Sequence, residues 1–279
     1  MFNLRPPGQK PLLGTPLDMG NPLSLGLIGA WLMNEGSGNR IYDISGNGRD
    51  GILDSNIEWQ ATQNGSALYF GTNADDWMIP LTSTDLINLP TSKNFSVVVS
   101  CLPNYNASTN VGIAWGGTDD LLIYPNDGVA VDGGIRVFWR ACGATLISYA
   151  GSNLNGIRVQ TVFTAVPGDQ RAYQDGVLVG TGANDLSGAG PFSNLNIGGW
   201  GDAAQAFGGH IEYVYLYNRV LTIQEIRSLY IDPYQMWPDD AFWMISTTGW
   251  AHKWNGIAGA SITAINGVPT ASITKVNGI

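Results

Sequence analysis

Two small groups of residues have the types and spacing for binding chemistry, and each also has a plainer structural reading. Asp43 and Asn47 lie in the turn Asp43-Ile44-Ser45-Gly46-Asn47-Gly48. They are the candidate ligands for calcium, the one cofactor the sequence suggests, because Ca²⁺ takes carboxylate, amide and carbonyl oxygens in a flexible shell. The alternative is an Asx-turn, in which Asp43 hydrogen-bonds within its own loop. Trp115 and Trp200 stand beside glycines, in Trp115-Gly116-Gly117 and Gly199-Trp200-Gly201. They read as loop-borne indoles for stacking on a sugar, with Trp77 and Trp139 as further candidates and core packing as the competing use of all four. The acidic pairs Asp75-Asp76 and Asp119-Asp120 read as solvated loop residues.

A third pattern concerns assembly. Trp254-Asn255-Gly256-Ile257, Ile265-Asn266-Gly267-Val268 and Val276-Asn277-Gly278-Ile279 recur at 11-residue spacing. Asn-Gly between β-formers signals a hairpin, since a type I′ turn needs positive φ at both central residues. Such short strands bury too little apolar surface to stand alone, so these residues are the candidate oligomerisation elements, with a homotrimer favoured.

The elements that must carry these groups are strands. The chain of 279 residues holds 37 glycines, 10 tryptophans and 11 tyrosines, the turns and flat side chains of an all-β protein. Charged residues are 13%, about half the usual share, as on a protein that lives inside an assembly. A net charge of −9 without a Lys/Arg cluster argues against nucleic acid as a partner. No stretch approaches the ~20 apolar residues of a membrane span, and no secretory signal is legible at the start, so neither membrane nor export is expected. Cys101 and Cys142 then read as buried thiols.

Residues 1–24, with five prolines, predict an extended N-terminal arm. Short β-rich runs follow at Leu27 to Met33, Ala67 to Phe70, Phe95 to Leu102, Ile135 to Arg140, Val159 to Val166, Arg171 to Val179 and Ile211 to Tyr217, spaced as in a sandwich or barrel. Asp175-Gly176 marks a hairpin turn. Thr222-Ile223-Gln224-Glu225 is a capping box that opens one helix, ending before Pro233. The predicted organisation is an arm over 1–24, a β domain over 25–231, and a Trp-rich linker with the repeat tail over 232–279.

Several blocks, in order, carry a resemblance. Gly29-Ala30-Trp31-Leu32-Met33-Asn34-Glu35-Gly36 with Tyr42-Asp43-Ile44-Ser45-Gly46-Asn47-Gly48, Gly65 to Phe70, Phe95 to Val99, Tyr173 to Val179, and Phe207 to Thr222 with Glu225-Ile226 resemble the laminin G-like, concanavalin A-like domain. The resemblance implies a jelly-roll sandwich of two antiparallel sheets. A Trp-His pair common in that family is missing near Ile157-Arg158-Val159. The Gly8-Gln9-Lys10-Pro11 start and the Asn-Gly tail resemble virion proteins of tailed bacteriophages.

That fold also serves glycoside hydrolases, which need two carboxylates at the scissile bond. Their Glu-x-Asp-x-x-Glu strand signature is absent, and Glu212 and Glu225 fall on different elements. His210 and His252 lack neighbours at metal-ligand spacing, and His210 reads as structural. The sequence therefore predicts a non-enzymatic virion structural protein, a capsid decoration or surface-fibre subunit on the virion surface, assembling with copies of itself and with the major capsid protein. The alternative is a carbohydrate-binding adhesin or receptor-binding module that contacts host-surface glycans.

Overall fold

The computed structural model describes residues 6–71, 79–80, 93–104, 113–116, 121–127, 134–139, 142–151, 154–188, 194–199 and 207–237, and four two-residue strands between 253 and 269. In chain order the first strands are β1 (Leu27–Trp31), β2 (Arg40–Ile41), β3 (Gly51–Ile52), β4 (Glu58–Thr62), β5 (Gly65–Phe70), β6 (Ile79–Pro80), β7 (Phe95–Pro103) and β8 (Ile113–Gly116). Next come β9 (Leu121–Asp127), β10 (Gly134–Trp139), β11 (Ala144–Tyr149), β12 (Val159–Val166), β13 (Asp169–Gln174), β14 (Val177–Gly182), β15 (Asn194–Ile197) and β16 (Gly209–Tyr217), then helix α1 (Ile223–Ile231).

These strands form an all-β sandwich. The larger sheet runs β14-β13-β12-β7-β16-β5-β4, with β1 paired to the C-terminal half of β16; the smaller runs β11-β10-β9-β8-β15-β6. All the pairings are antiparallel. Between the sheets, Val97 and Val99 of β7 and Phe163 of β12 meet Leu121, Ile123, Ile135 and Val137. Phe95 packs edge-on to Trp139 with ring centres 6.0 Å apart, so Trp139 belongs to the core and not to a sugar site.

Strands β7 and β16 are buried at almost every position, so the larger sheet has a second apolar face. Val98, Val162, Tyr173, Tyr213, Tyr215 and Tyr217 line it, and Ile226 and Leu229 of α1 cover part of it. The rest is covered by chain that the sequence assigns to an arm and a linker. Leu23 is buried there and Leu17 packs against the cluster, while Tyr234, Met236 and Trp237 fill it from the other terminus. The Asp18 N–H donates to the Met236 carbonyl at 2.8 Å, joining the two. The compact unit therefore runs Pro6–Pro238, wider at both ends than the 25–231 expected. Neither segment has strand or helix periodicity, and periodicity is what marks a domain in sequence.

Local signals fare better. Helix α1 begins with both capping-box bonds, Thr222 Oγ1 accepting from the Glu225 N–H and Glu225 accepting from the Thr222 N–H. The turn between β13 and β14 has Asp175 at φ 49° and Gly176 at φ 76°, as the hairpin reading requires. Strand β9 lies outside the β-rich runs read from the sequence, and it contains Pro125. The structure places a register shift opposite it, between Gly134 and Arg136, where a bulge tolerates proline.

The residues from Asp239 onward group with Met1–Arg5 in a second unit. In it, β17 (Lys253–Trp254) pairs with β18 (Ile257–Ala258), and β19 (Ala264–Ile265) with β20 (Val268–Pro269). Trp254 faces Ile257 and Ile265 faces Val268 in register, which leaves two residues for each turn. Those residues, Asn255-Gly256 and Asn266-Gly267, and the third repeat at Val276-Asn277-Gly278 lie outside the described residues.

If Trp237 is part of the sandwich core, Trp237→Ala should lower its unfolding free energy by about 3–5 kcal/mol, the usual cost of emptying a buried aromatic site. Urea denaturation followed by near-ultraviolet dichroism measures this. A change below ~1 kcal/mol would return the segment to the linker.

Candidate functional site

The Asp43 turn is anchored from inside. Asp43 Oδ1 accepts from the N–H groups of Ala30 (2.9 Å) and Ser45 (3.0 Å), and Oδ2 from that of Arg49 (3.0 Å). The Asn47 side-chain amide donates to Ser45 Oγ at 2.9 Å. Trp31 Nε1 donates to the Arg49 carbonyl at 2.8 Å, which ties the turn to the core. Three N–H dipoles thus point at a carboxylate with about four lone-pair directions, the arrangement of an Asx-turn. A calcium ion would meet those dipoles head-on, and among the described residues no group of three His, Cys, Asp or Glu could hold a metal. Asp43 and Asn47 do not fit calcium.

The sugar candidates separate. Trp115 lies within β8 and not in a loop, in register between Leu121 and Leu195, two residues of the inter-sheet core. Its side chain, together with Trp77 and Trp200, lies outside the described residues. The structure instead points to residues that sequence reasoning missed, on the outer face of the smaller sheet. Arg136 and Phe138 of β10 are half-buried there beside Leu122 and Tyr124 of β9, with the Arg136 guanidinium 4.0 Å above the Tyr124 ring. Their period-2 alternation with Ile135, Val137 and Trp139 is visible in the sequence, since residues i and i+2 share a face.

A third cluster sits where Lys10 crosses β5 and β16. Its amine donates to the carbonyls of Met33 (3.1 Å), Glu212 (2.6 Å) and Ser66. The Glu212 side chain, buried at a bulge between Ile211 and Tyr213, accepts from Arg158 Nε at 2.5 Å and Ser100 Oγ at 3.1 Å. Burial pushes the Lys10 amine down to about 7, against the pull of the Glu212 and Glu35 charges. Burial likewise raises Glu35, whose Oε1 accepts from the Tyr42 N–H at 2.8 Å. His210 Nε2 lies 2.9 Å from Gln60 Oε1 and its ring tilts against Tyr69, a satisfied structural histidine. Glu225, the other glutamate considered for hydrolysis, pairs with Arg219 at 2.7 Å and caps α1. No disulfide joins Cys101 and Cys142. Among the described residues no helix is long and apolar enough to cross a membrane.

No protein-family model matches the chain, and no curated protein does. Solved structures do match. Domain 4 of AbnA, a GH43 extracellular arabinanase from Geobacillus stearothermophilus solved in complex with arabinotriose, is 18% identical, with 73% of this chain and 97% of that one covered and a TM-score of 0.56. The binding domain of Paraclostridial Mosquitocidal Protein 1 is 13% identical over 74% of this chain and 52% of that one, with a TM-score of 0.57. Trypanosoma rangeli sialidase in complex with sialic acid is 20% identical over 76% and 33%, with a TM-score of 0.54. This chain thus spans about half of the toxin's binding domain and a third of the sialidase. At these identities the likeness shows the fold alone, an all-β sandwich.

Two measurements test the site chemistry. Asp43→Ala strands three N–H groups and should cost about 3 kcal/mol, with a melting temperature that EDTA and added Ca²⁺ leave unchanged. A Ca²⁺-dependent rise in melting temperature would restore the metal. The lowered Lys10 pKa means that from about pH 7 upward the unfolded chain holds a proton the folded one has shed, so stability should rise with pH by up to about 1.4 kcal/mol per unit. The trend should reverse near pH 10, where the buried Tyr213, Tyr215 and Tyr217 hydroxyls, all raised by burial, resist ionising while the unfolded ones ionise. Lys10→Met should flatten the rise.

Proposed function

We propose that the sandwich is a non-enzymatic glycan-binding module, and that the outer face of the smaller sheet holds the sugar. The observation that carries this reading is the match across 97% of an arabinanase domain solved in complex with arabinotriose. In this chain, the Arg136 guanidinium stacked on the Tyr124 ring and the half-buried Phe138 ring share one face, the pairing of polar and flat groups that sugar recognition uses. Catalysis finds little to work with. Glu212 is committed to Arg158 and Ser100, and Glu225 to Arg219 and the helix cap, so neither is free to protonate a leaving group.

The tail supports a second, compatible reading, in which the module is displayed on a larger homo-oligomeric assembly such as a virion surface. Each described hairpin has two residues per strand, far below the size of an independently stable sheet, so it gains by pairing with other copies.

A glycan array that includes arabinan fragments and sialylated glycans, followed by calorimetric titration, tests the binding reading. Reproducible hits are expected, weakened roughly tenfold or more by Arg136→Ala or Phe138→Ala. Hits lost only on Trp200→Ala would move the site to Trp200. An array without hits would leave display as the function, and reducing-sugar release from any polysaccharide would overturn the non-enzymatic reading.

A further inference from the structure

We propose that the oxygen cage around Lys10 is a binding site for a primary alkylamine, which this chain fills with its own lysine. Three backbone carbonyls, of Met33, Ser66 and Glu212, converge on one nitrogen. Two of them are turned toward it by irregular backbone. Met33 is a non-glycine residue at φ 49°, and Glu212 sits at the bulge in β16. Strained or bulged positions are costly and often mark a site. The cage also has spare capacity: Glu35 Oε2 and Ser66 Oγ are buried without a hydrogen-bond partner in the described structure. Glu35 lies close enough for its charge to act on Lys10.

The cage belongs to the sandwich, whereas its occupant belongs to a thin strap. Residues 6–16 join no sheet. Besides the amine, contacts that tie the strap down include the Lys10 N–H to the Asn64 carbonyl (3.2 Å), Asn34 Nδ2 to the Pro11 carbonyl (2.9 Å), and a long contact from the Gly8 N–H to Asp232 (3.4 Å). Leu12 and Leu13 beyond it are 67% and 59% exposed. The unbranched lysine stem runs past Gly65, its carbons 3.5–3.7 Å from where a Cβ would stand. Several acceptors around one nitrogen require several N–H donors, so the ligand is a primary amine, and a quaternary one is excluded.

Lys10→Ala removes three methylenes and the amine, the volume of n-propylamine. In the full chain this variant should lose roughly 4–8 °C in melting temperature, since the buried carbonyls lose their donors. Addition of n-propylamine on the order of 10 mM should restore much of that saturably. Propan-1-ol and tetramethylammonium should not restore it. Lys10→Met, which keeps an unbranched stem without donors, should show a loss that n-propylamine leaves unchanged. Rescue of Lys10→Ala by propan-1-ol as readily as by the amine, no rescue at all, or a Lys10→Met variant as stable as the parent would each overturn the site. If Lys10→Ala does not fold alone, refolding with and without n-propylamine decides: recovery only with the amine supports the site, and recovery in neither overturns it.

Discussion

A β-sheet that is apolar on both faces has to be covered twice, and the architecture of this chain follows from that requirement. In β7, Val97 and Val99 point to one side and Val98 to the other. In β16, Val214 and Leu216 face the inter-sheet core while Tyr213, Tyr215 and Tyr217 face away from it. The first face is closed by the second sheet, the ordinary solution of a sandwich. Over the second face, among the described residues, a helix of nine residues and the two irregular ends of the compact unit take the place of a third sheet. Without them a row of tyrosine rings would stand in water.

Tyrosine makes this cover specific. Its ring is apolar but its hydroxyl needs a partner when buried, so the covering chain must bring acceptors to fixed places. The Tyr215 hydroxyl donates to the Pro233 carbonyl at 3.0 Å, Tyr217 reaches Met236 Sδ at 3.5 Å, and Gln160 bridges the Tyr213 hydroxyl and the Leu229 carbonyl of α1. Tyr213 and Tyr215 stack on one another, 4.8 Å apart. The cover can therefore dock in one register only. Lys10 and the Glu212 bulge continue the same logic at the strand's other end, where charge replaces hydroxyl.

These facts mark what a sequence shows and what it hides. Helix α1, the Asp175-Gly176 hairpin and the long strands were legible, because capping boxes, positive-φ turns and apolar runs are local signals. So were the two described tail hairpins. The extent of the compact unit was not. Tyr234, Met236 and Trp237 look like linker residues until the tyrosine face they cover is known, and that face is built from Tyr213, Tyr215 and Tyr217 together with Val98, Val162 and Tyr173, far away in the chain. The same holds for the candidate site. A glycine beside Trp115 suggests a loop, but the partner strands place that residue in register with core leucines. Arg136 draws no notice in sequence because its role depends on Tyr124, which only pairing across β9 and β10 brings beneath it.

The closure of one face bears on function. With the second face of the larger sheet covered by α1 and the chain ends, the outer face of the smaller sheet, where Leu122 and Tyr124 are themselves buried, is the remaining sheet surface among the described residues. The outer face of that sheet carries Arg136 and Phe138 only half-buried, on strands held rigidly by the Phe95 and Trp139 packing behind them. A rigid backplane with a few adaptable side chains in front suits weak, geometry-dependent recognition of hydroxyl groups, because little ordering entropy is lost on binding. Glycoside cleavage needs a carboxyl group poised to give up a proton, and the deeply buried Glu212 is already fastened to Arg158 and Ser100 in the service of the fold.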